Sequence, residues 1–496
     1  MTHLSQSFFS RASRIPFLGL GLSVDVYSPN LLDLVRILNG RQLSFGYLEI
    51  FQAHPHALRT IRTQMPGIPM AYHAEGLWFT QPGWAESEQA YSRLAQIGQD
   101  LEVLDAWWVN QECATKEIAG RVFGTYVPPL FTLDSARLTA QQACEAQAKL
   151  DVCQWGAQGP PLLLLEVPPL TYFGIGDLSY PEFFARVAEG APCGFVLDIG
   201  HVWTAYRYVD GCSDQAFEAY FETFLEGFPL DRVIQIHVAG LACHPSVKVE
   251  DGTGLGVGFE PWVDFHPAPI PQELLGALGQ VLRDPRLRQL KGLALEVDNK
   301  DVSLICRELD WVRGVFGDHL ERISQQHSGI EKRIMHESRS QMDATEEQSQ
   351  VPLQEELAHQ YLEYLSLLTG KNTETITERM ALSTKVNEGL QVYATQYLPQ
   401  EILSWGGDIS EMFPLSCDAL KHQGVKLERF VEFWFGNPGS GSEMAYDFFS
   451  MKIQRFVEFI YAVLPEEASV VDREADILRE GYRQSCQDVR LSEEVV

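Results

Sequence analysis

The feature that most constrains the fold is a regular alternation along residues 1–324. Short apolar runs rich in β-forming residues alternate with longer stretches of helical periodicity. Because most of these runs are apolar on both faces, they predict a parallel sheet covered by helices. A count of eight favours a closed (β/α)8 TIM barrel over an open doubly wound sheet. The eight predicted strands are residues 17–24, 47–51, 68–76, 106–112, 162–168, 193–201, 233–240 and 293–298.

The alternation ends near residue 324. Residues 325–352 are polar and poor in large apolar side chains, which is typical of a linker. Residues 353–496 include "LERFVEFWFG" and "FVEFIYAVLP", in which apolar residues recur at helical spacing. We therefore predict an all-helical C-terminal domain of unknown role. Its aromatic stripes are typical of a domain's own core, and the alternative is a groove for a peptide segment.

The composition of the chain limits the classes of partner that it is expected to bind. With 38 basic and 67 acidic residues the net charge is −29, so we expect no nucleic-acid partner. No apolar run is long enough to cross a bilayer, and "PFLGLGLSV" near the N-terminus lacks a cleavage pattern, so we expect neither a membrane partner nor a signal peptide. The nine cysteines form no CxxC pair, which favours a reducing cytoplasm without disulfides or a thiolate zinc site.

Carboxylates and imidazoles recur where the predicted strands end. The C-terminal ends of barrel strands meet at one rim, where active sites of this fold lie. A single such residue is more often a hydrogen-bonded structural group. Five carboxylates and four imidazoles in one cavity, however, would need cations to compensate them. These residues are His73, Glu112, Glu166, Asp198, His201, His237, Asp264, His266 and Glu296.

The types of donor indicate the metal. Carboxylates and imidazoles without thiolates suit iron, manganese or zinc, and so many ligands predict two or three ions. In this interpretation Asp198 and His201 of "FVLDIGHVW" face bound metal, and Cys113 is a packing residue.

Two loops are predicted near this rim. The glycine-rich "GTGLGVG" at residues 252–258 does not open a helix, so we expect a mobile loop rather than a dinucleotide-binding turn. The connection after Glu112 carries "FGTYVPPLFT", in which two prolines stiffen a segment above the rim. We expect Tyr126 or Phe131 to shape the substrate entrance there; the alternative is an ordinary structured loop.

The motifs, taken in order over residues 16–300, resemble the multinuclear non-heme iron-dependent oxidase family, which includes the iron enzymes of methanobactin and thiaglutamate biosynthesis. The matching stretches are "GLGLSV", "AYHAEGL", "VNQECA", "YVPPLFT", "LLLLEVPP", "FVLDIGHVW", "IQIHVAGL", "DFHPAPIP" and "LALEVD". The resemblance implies that the nine residues ligate two or three iron ions and that dioxygen is the co-substrate. It further implies a cysteine-containing, ribosomally made precursor peptide as substrate, possible help from a peptide-presenting partner protein, and a cytoplasmic oxidoreductase of natural-product biosynthesis.

The sequence also departs from this family. Where the family usually has Ser-Glu-His-Leu, this chain has Asn110-Gln111-Glu112-Cys113. Val167, Gly200 and His201 stand where the family has asparagine. Three other functions stay open at this point. They are a xylose-isomerase-like sugar isomerase, a trinuclear zinc endonuclease or other phosphodiesterase, and a non-catalytic binding scaffold. No lysine ends a predicted strand, as an isomerase would require, and the acidic net charge disfavours the nuclease.

Overall fold

A closed barrel of eight parallel strands forms the centre of the structure, confirming the predicted TIM barrel. The structure is a computed structural model that describes residues 3–153, 155, 158–209, 215–243, 262–334, 351–370, 376, 382–404, 406–436 and 448–485. Each apolar run supplies one strand, and neighbours in sequence are neighbours in the barrel. The strands are β1 Gly19–Val24, β2 Leu48–Phe51, β3 Met70–His73, β4 Ala106–Glu112, β5 Leu162–Glu166, β6 Gly194–Asp198, β7 Val233–Val238 and β8 Gly292–Glu296.

Helices cover the outside of the barrel and its N-terminal end. Phe8 of the first helix packs with Tyr47 and Trp108 in the cluster that fills the barrel interior. The later helices follow the strands and bury their apolar faces against the sheet. In chain order they are α1 His3–Ala12, α2 Leu31–Gly40, α3 Pro55–Gln64, α4 Glu88–Leu104, α5 Leu133–Asp151, α6 Tyr180–Gly190, α7 Ile199–Tyr208, α8 Phe217–Gly227, α9 Gln272–Val281 and α10 Val302–Ile334, with 3-10 turns at Trp84–Glu86 and Leu230–Arg232.

Strand β6 ends earlier than the sequence predicts. Its last residue is Asp198, and helix α7 begins at Ile199, whereas the prediction carried the strand to residue 201. The cause is an N-cap, because the Asp198 carboxylate accepts a hydrogen bond of 2.6 Å from the backbone N–H of His201. His201 therefore lies in the first turn of a helix, directly above the strand end.

Three small sheets lie in the connections that follow β4, β5 and β7. Thr115–Ile118 and Arg121–Val127 form an antiparallel hairpin, and Leu130–Phe131 pairs in parallel with Ile175–Gly176. Leu241–Cys243 pairs antiparallel with Trp262–Asp264. The predicted mobile loop at residues 252–258 lies outside the described residues. These sheets extend the C-terminal rim of the barrel, where the candidate site lies.

The C-terminal region is helical, as predicted. None of the helices in the described part of the chain has the length and apolar character needed to cross a membrane. The helices are α11 Val351–Leu368, α12 Thr384–Val392, α13 Leu398–Ser404, α14 Ile409–Met412, α15 Pro414–His422, α16 Glu428–Gly436, α17 Phe448–Val463 and α18 Ala468–Ser485, with a π-helical turn at Tyr393–Tyr397 and a 3-10 turn at Pro465–Glu467.

Helical structure enters the predicted linker at both ends. Helix α10 continues to Ile334, and α11 begins at Val351, so residues 325–334 are helical. Residues 335–350 lie outside the described residues. The division at 1–324, 325–352 and 353–496 otherwise stays a prediction.

The C-terminal helices pack directly on the rim connections of the barrel. Phe123, Tyr172 and Phe173 from those connections share one buried cluster with residues of α11 to α18. Polar contacts reinforce it, since the Tyr364 hydroxyl donates to the carbonyl of Pro128 at 3.1 Å. The helical region therefore braces the connections after β4 and β5 and is not a module held by a tether alone.

The aromatic stripes of this region form its core. Phe430, Phe456 and Phe459 are at most 1% exposed, and Phe430 packs edge-on against Phe456 with ring centres 5.2 Å apart. These three rings therefore belong to the region's own core, and a peptide groove elsewhere on the helices stays a prediction.

One close approach locks α12 onto the barrel. Tyr172 adopts a left-handed backbone (φ 75°), and its carbonyl oxygen faces Gly389 of α12. A Cβ atom at position 389 would lie 1.9 Å from that oxygen, so only glycine fits.

Candidate metal centre

The structure brings all nine predicted residues together at the C-terminal rim, linked by imidazole–carboxylate contacts and by a shared cluster of donor atoms. The barrel register explains part of this convergence. Glu112 is paired with Glu166 on adjacent strands, and Asp198 is paired with His237. Side chains at paired positions point to the same side of a parallel sheet, so these groups face one interior. Their role as metal ligands stays a prediction.

Four of these residues form what we call the inner group: Glu166, Asp198, His237 and Glu296. One donor atom from each lies within 4.8 Å of the others. All four side chains are buried, with His237 and Asp198 wholly inaccessible to solvent. His237 Nδ1 lies 3.1 Å from Glu166 Oε1 and 3.3 Å from Glu296 Oε1. This spacing suits one ion held between them.

The outer group consists of Asp264, His266 and Glu296. Its donor atoms also lie within 4.8 Å of one another. His266 Nε2 is 3.0 Å from Asp264 Oδ2 and 3.6 Å from Glu296 Oε2. The side chains of His266 and Asp264 are 25% and 13% exposed, so this group reaches solvent. Glu296 belongs to both groups and offers one carboxylate oxygen to each.

A third corner is formed by His73, Glu112 and Glu166. His73 Nε2 lies 3.4 Å from Glu166 Oε2 and 3.6 Å from Glu112 Oε1. His201 lies between this corner and the outer group, with Nδ1 3.7 Å from Glu166 Oε1 and Nε2 3.5 Å from Asp264 Oδ2. Glu166 is therefore central to the whole set.

Backbone and carboxylate acceptors fix the imidazole rings. A carbonyl oxygen only accepts, so His73 Nδ1 donates to Ala74 and His201 Nδ1 donates to Val167, at 3.0 and 2.7 Å. His266 Nδ1 lies 3.1 Å from Asp298 Oδ2. These three rings direct Nε2 towards the carboxylates. His237 is the reverse, because its Nε2 faces Glu49 and its Nδ1 faces the inner group.

Two polar residues of the site were missed by the sequence prediction. Glu49 on β2 is wholly buried, and its Oε2 lies 2.7 Å from His237 Nε2. Asp298, just after β8, accepts from His266 and from the backbone N–H of Asp25. Glu49 stands alone in the apolar run "YLEIF", and Asp298 ends the quoted "LALEVD". A lone carboxylate inside an apolar strand was the available signal for Glu49.

Burial and neighbouring charges shift the pKa values of the groups in this cluster in opposite directions. Burial acts to lower the pKa of His73, but Glu112 and Glu166 raise it to about 10. The pKa values of His237 and His266 are likewise raised well above the usual range, because neighbouring carboxylates outweigh burial. Burial acts to raise the pKa of Glu166, yet His237 and His73 hold it well below the usual range. Burial raises the pKa of Asp198 well above normal. Protons bound to these side chains therefore balance part of the negative charge that metal cations would otherwise balance.

The donor set fits metal ions. Asp198 Oδ2, Asp264 Oδ1 and Glu296 Oε2 are buried and have no hydrogen-bond partner among the described residues. Leaving such oxygens without a partner is costly, and a cation would satisfy them. The donors are carboxylates and imidazoles, a combination that suits iron, manganese or zinc. Cys113 lies in the apolar core cluster, and burial raises the pKa of its thiol, so it behaves as a packing residue.

The two predicted entrance residues have different surroundings. Burial and the nearby Glu112 carboxylate raise the pKa of Tyr126 well above its usual range, and the ammonium of Lys116, which pairs with Glu75, lies 4.3 Å from the Tyr126 ring centre. Phe131 is buried and packs edge-on against Tyr180 and Phe183. The structure therefore joins Tyr126 to the cluster and places Phe131 in core packing. Substrate binding by either residue stays a prediction.

Fold and site together define a TIM-barrel protein whose rim carries a candidate multinuclear metal centre. Residues 36–315 match the family described as "RiPP precursor modification enzyme MbnB/TglH/ChrH". The match covers more than half of the chain, so the chain belongs to this family, which modifies ribosomally made precursor peptides.

Curated relatives are distant. A UPF0276 protein of Vibrio parahaemolyticus is 24% identical over 183 residues, which are 36% of this chain and 54% of that protein. One from Paraburkholderia phytofirmans is 31% identical over 117 residues, 24% of this chain and 34% of that protein. The chain thus spans about half, or less, of the length of these two. One from Rhizorhabdus wittichii is 21% identical over 332 residues, 65% of this chain and 99% of that protein.

Similar solved structures include endonuclease IV from Thermus thermophilus, with 18% identity and a TM-score of 0.35 over 61% of this chain and 99% of that one. D-psicose 3-epimerase from Clostridium cellulolyticum has 12% identity and a TM-score of 0.32, over 64% of this chain and 99% of that one.

Proposed function

We propose that this protein is an iron-dependent oxidase that uses dioxygen to modify a cysteine-containing, ribosomally made precursor peptide. The observation that carries the proposal is the pair of adjoining donor groups that share Glu296 on the rim of a barrel of this family. Adjacent groups joined by one carboxylate suit ions that act together on two reactants.

The donor groups support two or three ions. The inner and outer groups would hold one ion each, and His73, Glu112 and Glu166 offer a third position. Bound iron would supply coordination positions for a substrate thiolate and for dioxygen, together with the electrons that the reaction needs.

The protein's own residues hold this centre in place and control access to it. The backbone acceptors of His73 and His201 fix both rings with Nε2 towards the carboxylates. Burial of the inner group excludes water from one side, and the partly exposed His266 leaves the other side open. Tyr126 lies where it would contact a peptide that approaches Glu112, with Lys116 beside it.

A cleft beside the rim supports a peptide as substrate. It has a volume of about 580 Å³ and lies between the connections after β4 and β5 and the helices α11 and α12. Leu130, Gly174 and Gly176 line one wall, and Gln360 and Ser383 line the other. A cavity of this size holds a short peptide segment. We propose that the helical region helps to position the precursor peptide here, alone or with a peptide-presenting partner, and that the protein works in the reducing cytoplasm.

The proposal is tested by anaerobic purification and reconstitution with Fe2+. We expect two or three bound iron ions per chain, dioxygen uptake in the presence of cysteine-containing peptides, and a change in peptide mass. A protein that retains zinc and cleaves phosphodiesters, isomerises a sugar with one or two divalent ions, or binds little metal would contradict it. The last outcome would indicate a scaffold.

A further inference from the structure

A wholly buried amide lies on strand β4, two residues before Glu112. Asn110 is inaccessible to solvent and is paired with Leu164, which belongs to the apolar cluster that fills the barrel interior. Side chains at paired positions of a parallel sheet point to the same side, so Asn110 also points inward. The next pair along the same two strands is Glu112 and Glu166. Asn110 therefore lies one layer below these two carboxylates.

Packing alone does not explain a polar residue at this position. Burying an amide is costly unless its polar atoms are paired, and Oδ1 of Asn110 is buried with no hydrogen-bond partner among the described residues. Leu162 and Leu164, in the same interior cluster, carry no such cost. A leucine at position 110 would have a similar shape without the unpaired oxygen. The amide is therefore kept for the group to which its other end donates.

That group is the Glu166 carboxylate. Nδ2 of Asn110 donates a hydrogen bond to Oε2 of Glu166, and this oxygen also lies 3.4 Å from Nε2 of His73. The other oxygen, Oε1, lies 3.1 Å from Nδ1 of His237 in the inner group. The two oxygens of Glu166 thus serve different sides of the centre, and rotation of the carboxylate decides which imidazole each one meets.

The hydrogen bond from Asn110 differs in kind from the imidazole contacts. An imidazole nitrogen that binds a metal ion gives up its contact with a carboxylate, whereas the amide of Asn110 is not one of the nine candidate ligands. Its N–H can keep donating to Oε2 while the ions bind, because a carboxylate oxygen that ligates a metal still has a free lone pair. The contact can therefore hold Glu166 in both the metal-free and the metal-bound protein.

We propose that Asn110 is a positioning residue that fixes the rotation of the Glu166 carboxylate, with Oε1 presented to the inner group and Oε2 to the corner that contains His73. The inference rests on the proposed metal centre and deepens it. A ligand that is already held in its binding orientation loses less freedom when the ion binds. Loss of a hydrogen-bond partner of this kind typically weakens metal binding 10- to 100-fold.

The role is tested with Asn110→Leu, with Zn2+ as the probe and a chromophoric chelator as competitor. Leucine keeps the shape and removes the donor, so we expect Zn2+ affinity to fall 10- to 100-fold. Gln142→Leu is the matched control, because Gln142 is also a buried amide but lies on α5, where it bonds to backbone groups of Ala85 and Phe79. It should lower the melting temperature and leave Zn2+ affinity unchanged. Unchanged affinity in Asn110→Leu, or an equal loss in Gln142→Leu, would overturn the proposal.

A double-mutant cycle tests whether Asn110 acts through Glu166. In Glu166→Gln the charged ligand is gone, so adding Asn110→Leu should cause no further loss of Zn2+ affinity. A purely structural role predicts the same fold loss in both backgrounds, and that result would refute the positioning role. Circular dichroism checks that each variant is folded, and Asn110→Ala replaces the leucine variant if it is not. An intact protein that binds no metal refutes the proposed function instead, so the two failures are distinguishable.

Discussion

The inner and outer donor groups share a carboxylate but differ in their surroundings. Glu166, Asp198 and His237 are at most 1% exposed, whereas the His266 side chain is 25% exposed. The inner residues lie at the ends of strands β5, β6 and β7, whose relative positions are set by the barrel register. Asp264 is the last residue of the small sheet that is built on the rim, and His266 follows that sheet. The comparison indicates an inner position that is fixed and dry and an outer position that is open to reactants.

The strongest test of this comparison removes an inner ligand. We expect Asp198→Ala and His237→Ala each to lose the inner ion and to abolish turnover. The inner group is buried, so water cannot readily replace the missing ligand. Metal content and dioxygen uptake measure this. Asp198→Ala also removes the N-cap of α7, at a cost of about 1 kcal/mol. Asp198→Asn keeps a capping oxygen, so it should lose metal with a smaller loss of stability. Full metal content in both alanine variants would refute the inner group.

Removing an outer ligand should have a smaller effect on metal content. We expect His266→Ala to lose about one ion per chain and to keep the inner ion, since Glu166, Asp198, His237 and Glu296 remain. Activity should fall strongly in the same variant. Metal analysis of His266→Ala beside Asp198→Ala gives the contrast directly. Equal losses in the two variants would mean that the groups do not differ as proposed.

Metal binding should release protons. The pKa of His73 is raised from 6.5 to about 10, so the protonated ring stabilises the metal-free protein fully below about pH 6.5, and this contribution is lost as the pH rises towards 10. Metal binds only the neutral ring, so Zn2+ affinity should increase with pH over that window. Calorimetry in two buffers of different ionisation enthalpy counts the protons. His73→Gln should release about one proton fewer, and an equal release would contradict the assignment.

The smallest effect is expected at the cleft. Ser383→Trp should weaken peptide binding several-fold and leave the metal content of both groups unchanged, because Ser383 lines the cleft and not the centre. Thr384→Trp is the matched control at the next exposed position, which does not line the cleft. Fluorescence titration with cysteine-containing peptides measures both. Equal affinities in the two variants would argue against this cleft as the peptide site. A truncation near residue 348 is less informative, since it would expose the cluster shared with the rim.

The periodicity of apolar residues in the sequence was sufficient to predict the barrel and the convergence of the polar residues at its strand ends. Strand periodicity identified all eight strands, and the geometry of a barrel then implied one rim. Pattern was not sufficient for Glu49, because a single carboxylate in an apolar strand does not reveal the imidazole across the barrel. It also misplaced the end of β6, since the same Asp198 that suits a metal also suits a helix N-cap.

The helical region was predictable only in part. Aromatic residues at helical spacing indicated helices and, in the main, their own core, as observed for Phe430 and Phe456. Nothing in that spacing indicates that the same cluster includes Phe123 and Phe173 of the barrel connections. Contacts between segments so distant in sequence depend on the assembled shape, which periodicity does not describe.

The contact between Gly389 and the Tyr172 carbonyl has a consequence for how such a chain can evolve by recombination. A Cβ atom at 389 would lie 1.9 Å from that oxygen, so the glycine and the loop conformation are required together. Recombination that joined this helical region to another barrel would bring two mismatched surfaces together unless the loop after β5 were exchanged with it. The loop and the distant helix therefore form one unit of exchange, although more than 200 residues separate them in the sequence.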